Sequence, residues 1–116
     1  MENSYVTVIK NCLLAFGLTV LLPAAHAQVN ADVAMALAEK NLCLSCHKMD
    51  QKLVGPAFRD VAKKYQGVAE AQARLIANIR KGAKGVWGPV PIPPQTNLSD
   101  DEIKTLVAWI LSLSCR

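Results

Sequence analysis

Large aromatic and histidine side chains are scarce in this chain. Its 116 residues include two histidines, two tryptophans, two tyrosines and two phenylalanines, with aromatics at 5%. A chain this short buries only a modest fraction of its surface, so few large side chains are available to fill an interior. There is no dense basic run interleaved with aromatics, which removes nucleic acid from the expected partners. Nor is there an apolar run long enough to cross a bilayer: Cys12–Leu22 holds about 11 residues against the roughly 20 that a span requires.

That run has another use. Lys10 precedes it, Pro23 follows it, and Ala25-His26-Ala27 supplies a small-residue site, the arrangement of a secretory signal cut after Ala27, although Glu2 offsets Lys10 at its start. The expectation is a signal peptide over 1–27 and one exported, periplasmic domain over 28–116, with no stable membrane insertion after cleavage. Removing the segment discards one base, Lys10, and one acid, Glu2, so the net charge stays at +4. Lys48, Lys52, Lys63, Lys64, Lys81 and Lys84 are spread over surface-like positions. A basic rim of this kind steers acidic partners.

Cleavage also discards Cys12 and His26, which leaves Cys43, Cys46 and Cys115 with His47 as the single histidine. Cys43-Leu44-Ser45-Cys46-His47 is the attachment pattern for c-type haem. Each thiol adds to one vinyl group, and the two-residue gap presents both sulfurs to the same porphyrin edge. His47 then lies over the iron as a neutral imidazole, its other ring nitrogen held by an acceptor. A redox dithiol expects a βαβ setting, and a zinc site expects a second Cys or His pair downstream; neither follows. The macrocycle also supplies the apolar centre that the side chains lack. Cys115 is left over, either as a thiol able to link a second copy or as an inert residue near a frayed end, and the chain is expected to be a monomer.

Helical patterns fill most of the remainder. Asp32 to Leu42 is alanine-rich with Asn30 or Asp32 as cap, and its small residues allow close approach of another helix. Phe58 to Tyr65 carries Phe58, Val61 and Ala62 on one side and ends at Gly67; a third helix runs from Val68 or Ala69 to Lys81, stopped by Gly82. Ser99 and Glu102 have capping-box spacing ahead of a stripe of Ile103, Leu106, Val107, Ile110 and Leu113. Between these helices, Ala83 to Asn97 is dense in glycine and proline and predicts a stiff, extended loop in which Trp87 needs a surface to cover.

Taken in order, the first helix, CLSCHK, GPAFRDVAKKY, KGVWGPVPIPP and the SDDEIKTLVAWILS helix resemble the small bacterial class I cytochromes c, the short monohaem periplasmic kind. The resemblance covers essentially all of the expected mature chain. It implies an all-α class I cytochrome c fold, four or five short helices wrapped round one covalent haem c, with the first and last helices crossing. It implies thioether bonds at Cys43 and Cys46, proximal iron ligation by His47, a Pro56 carbonyl accepting the His47 ring proton, and a Trp87 indole donating to a haem propionate. The implied work is one-electron transfer in a respiratory chain, with redox proteins bearing acidic docking surfaces as partners.

One position breaks the pattern. Where the family has the methionine that ligates iron from the second side, this chain has Ile92, which cannot coordinate. Met49 is too close to His47 to cross the haem plane, and Met35 lies on the proximal helix. Three outcomes follow: a five-coordinate or water-bound iron capped by Ile92, recruitment of Lys84 or Lys81, or a ligand from a partner or second copy. The first is expected, because a loop stiffened by prolines keeps its fold round a non-ligating side chain. It predicts a lowered potential and a module open to carbon monoxide or nitric oxide. No distal histidine, arginine or acid is evident near Ile92 to polarise peroxide, which argues against an enzyme.

Overall fold

Among the described residues four helices and two short 3₁₀ turns follow one another: α1 (Ala31–Lys40), a turn at Cys43–Ser45, α2 (Phe58–Tyr65), α3 (Ala71–Lys81), α4 (Asp100–Ser112) and a last turn at Leu113–Cys115. The structure is a computed structural model and describes residues 29–115; the segment expected as a signal, 1–27, lies outside them. Among the described residues there are no strands, only isolated bridges between His47 and Lys52 and between Ala83 and Ile92. No helix among them is long and apolar enough to cross a membrane.

Helix α4 is the hub, packing against α1, α2 and α3. Its start is fixed locally. The Ser99 N–H donates to Glu102 Oε2 at 2.8 Å, and the Glu102 N–H donates to Ser99 Oγ at 3.2 Å, a closed capping box. Asp100, Asp101 and Glu102 add negative charge at the positive end of the helix. Ile103, Leu106, Val107, Trp109, Ile110 and Leu113 are all buried, with Ile103 and Val107 fully so. Burial of each such side chain is worth roughly 1.5–3 kcal/mol, so this one stripe outweighs every cap in the molecule.

The capping box makes α4 acid-sensitive. Hydrogen bonds from Ser99, backbone first and side chain second, hold the Glu102 carboxyl below its ordinary value. A depressed carboxylate stabilises the fold above its unfolded pKa and loses that contribution as pH falls through the folded one. Ser99→Ala is expected to lower the urea midpoint at neutral pH, and to narrow the difference between neutral and acid midpoints, in paired urea titrations.

Helix α1 is capped by Asn30, whose Oδ1 accepts from the N–H groups of Asp32 and Val33 at 3.1 and 3.2 Å, worth about 1 kcal/mol. Its Ala34 and Ala38 are 0% exposed, consistent with the close approach of α4 that small residues permit. The helix ends at Lys40, short of the expected Leu42, because Leu42 adopts a left-handed conformation at φ 59° and turns the chain into Cys43–Ser45. A second left-handed residue, Glu70 at φ 59°, delays α3 to Ala71. Phe58, Val61, Ala62 and Tyr65 of α2, Leu75 of α3 and Leu98 complete the core, with Met35 and Met49 packed against its edge.

Candidate functional site

The Cys43–His47 segment is a turn held by its own backbone. The Ser45 N–H donates to Leu42 O at 3.1 Å, and those of Cys46 and His47 donate to Cys43 O at 3.2 and 2.9 Å. Cys43 is half-buried, Cys46 is exposed, and both are free thiols. Burial pushes the Cys43 thiol above the ordinary cysteine value.

His47 is fixed from several directions. Its Nδ1 lies 2.7 Å from the carbonyl oxygen of buried Pro56. A carbonyl only accepts, so Nδ1 carries the proton and the Nε2 lone pair is free to bind a metal. The ring stacks on Phe58 with centroids 5.3 Å apart and planes at 18°, and Phe58 meets Trp109 of α4 edge-on at 5.2 Å. Gly55 lies against the imidazole so closely that an added Cβ would sit 2.6 Å from Cε1. Gly55 is itself tied to the motif, since its N–H donates to Cys46 O at 2.8 Å.

The facing wall is the proline-rich loop. Ala83 and Ile92 exchange two backbone bonds, Ala83 N–H to Ile92 O at 3.1 Å and Ile92 N–H to Ala83 O at 2.8 Å. Gly82 allows this closure, because at φ +76° a Cβ would meet Ile92 O at 2.6 Å. Between the walls is a cleft, open to solvent and lined by residues that include Cys46, His47, Pro56, Trp87 and Ile92. Trp87 is half-buried, with Lys64 Nζ 4.7 Å from its ring centroid.

Two free thiols on one turn, an imidazole with a bare Nε2 and an apolar cleft suit a covalent haem. Among the described residues no three His, Cys, Asp or Glu side chains group as a metal site. The family model for Cytochrome c matches residues 33–114. The chain belongs to the cytochrome c family. It is 45% identical over 98 residues to cytochrome c-552 of Nitrosomonas europaea, covering 84% of this chain and 91% of that one. It is 53% identical over 70 residues to cytochrome c-551 of Pseudomonas aeruginosa, covering 60% of this chain and 66% of that one. The crystal structure of wild-type Nitrosomonas europaea cytochrome c552 superposes with a TM-score of 0.67 at 45% identity, over 69% of this chain and 99% of that chain. The class I cytochrome fold and one covalently attached haem c follow from this membership, as does electron transport in association with redox proteins.

Within this cytochrome c the sequence-derived residues fall into distinct places. Cys46, His47, Pro56, Trp87 and Ile92 share the cleft, while Cys43 begins the turn beside it and packs against the core. Lys81 and Lys84 are exposed and absent from the lining, and Met35 and Met49 are at the edge of the core. Lys52 is the charged residue among those lining the cleft; His47 is the histidine there, with no arginine or acid. Sequence reasoning missed the supports of the site: Gly55 against the imidazole, Phe58 and Trp109 behind it, and Arg80 behind the loop. The Gly55-Pro56 pair was a visible signal for the first, but nothing local points to the others.

Proposed function

We propose that this cytochrome c is a periplasmic one-electron carrier of a respiratory chain, with haem held by Cys43, Cys46 and His47 and with Ile92 in place of a second protein ligand. The observation that carries the reading is the seat of His47, its Nδ1 committed to Pro56 and its Nε2 free in a cleft whose other wall holds Ile92. The haem supplies a reversible one-electron iron couple. Pro56 sets the tautomer of His47 and raises its basicity as a ligand. Phe58 and Gly55 keep the imidazole from turning. Trp87, in the lining of the cleft, would offer its indole N–H to a haem propionate.

Export to the periplasm rests on the pattern of residues 1–27. Exposed Lys48, Lys52, Lys64 and Lys84 favour acidic surfaces on redox partners. A five-coordinate or water-bound iron is supported by the placement of the alternatives, since Met35 and Met49 pack on the core and Lys81 and Lys84 do not line the cleft. Ile92 also favours a second reading, a module that binds carbon monoxide or nitric oxide at the open face. Stopped-flow electron exchange with a respiratory redox partner, set beside carbon monoxide affinity, separates the two. Rapid exchange whose rate falls with added salt is the expected result. Slow exchange together with tight gas binding transfers the assignment to the second reading.

A further inference from the structure

We infer that Arg80 is a positioning residue that latches the loop carrying Ile92 and thereby sets access to the second face of the iron. The inference rests on the reading of Ile92 given above.

The loop from Gly82 to Leu98 has few means of holding itself in place. Pro89, Pro91, Pro93 and Pro94 have no N–H, so the segment on either side of Ile92 offers mainly carbonyl acceptors. The Ala83–Ile92 pair ties the loop to itself, and among the described residues its backbone bond to the rest of the chain is the Gln95 N–H to Ile79 O at 2.9 Å. Within the loop the Gln95 side chain donates to Pro93 O at 3.1 Å, and the carbonyls of Gln95 and Leu98 take a donor from outside it.

Arg80, in the last turn of α3, is that donor. Its Nη1 donates to Leu98 O at 2.7 Å and to Gln95 O at 3.1 Å, and its Nη2 meets Asp100 Oδ1 at 2.6 Å. One guanidinium thus joins α3, the far end of the loop and the first turn of α4. The Arg80 side chain is 30% exposed, whereas that of Asp100 is 79% exposed. An exposed ion pair contributes little, but charge-assisted bonds to part-buried carbonyls contribute substantially. The carbonyl bonds are therefore the working part of the latch. A planar fork reaches two acceptors at once, which a lysine ammonium matches only in part.

The test uses the haem-loaded protein and the variants Arg80→Ala, Arg80→Lys and Asp100→Asn. Two readouts are followed: hydrogen exchange at the Ile92, Ala83 and Gln95 amides, and the rate of carbon monoxide association with the ferrous protein. Arg80→Ala is expected to speed amide exchange by roughly tenfold or more and to speed gas association. Arg80→Lys is expected to recover part of both, and Asp100→Asn to stay within about twofold of wild type. A lowered urea midpoint for Arg80→Ala with amide exchange and gas association within about twofold of wild type overturns the inference, leaving Arg80 a brace between helices. Absence of carbon monoxide binding in wild type refutes the open-face reading instead, and the amide exchange rates then decide the latch alone.

Discussion

Ile92→Met is expected to raise the midpoint potential by roughly 0.1 V or more, within the range of about 0.8 V that axial ligands span. It is also expected to abolish carbon monoxide binding. Both N–H and C=O of Ile92 are bonded to Ala83, and Gly82 lies directly behind its carbonyl. A methionine there inherits a fixed backbone in the wall of the cleft that His47 lines, and its thioether is expected to ligate the iron without rebuilding the loop. The swap nearly conserves volume and costs less than about 1.5 kcal/mol in folding. Thioether ligation stabilises the ferrous state relative to the ferric and raises the potential. A redox titration of the two proteins checks this directly. An unchanged potential means that Ile92 is not the residue facing the iron.

The second large effect is at Gly55. Gly55→Ala places a Cβ 2.6 Å from His47 Cε1, 2.9 Å from Nδ1 and 3.0 Å from Nε2. The glycine backbone cannot readily withdraw, because its N–H is bonded to Cys46 O and its carbonyl to the Leu53 N–H. The imidazole has to yield, and in doing so it leaves either Phe58 or the Pro56 carbonyl. Overpacking of this kind costs about 1–3 kcal/mol, which a urea titration reads as a lower midpoint. The effect on the iron is the more specific one. Resonance Raman spectra of the ferrous protein should show a weakened iron–histidine bond, and acid should detach the ligand at a higher pH than in wild type. Wild-type spectra and acid stability in Gly55→Ala would mean that the close approach is not part of the site.

These two positions also show what could be read from the sequence. One covalent haem c was legible from the Cys43-Leu44-Ser45-Cys46-His47 pattern, because haem attachment demands those residue types at that spacing. The capping box of Ser99 and Glu102, the Asn30 cap and the whole of α2 were legible because each is decided within a few residues. The C-terminus of α1 and the N-terminus of α3 were not, since Leu42 and Glu70 take left-handed conformations that neither residue type signals. The supports of the site were harder still. His47 stacks on a residue eleven positions away and that residue on another in α4, while Arg80 reaches Leu98 across 18 positions. Such contacts depend on how helices meet, and no periodicity encodes them. Ile92 stands out only against the family pattern, and its neighbours in the cleft became visible once the loop was placed.

The central claim is that His47 ligates the iron from one side and that no protein side chain does so from the other. The spin state of the haem, read from absorption and resonance Raman spectra of the ferric and ferrous protein, tests it most directly. High-spin iron in both states is the predicted result. Low-spin, six-coordinate iron in both states would contradict it.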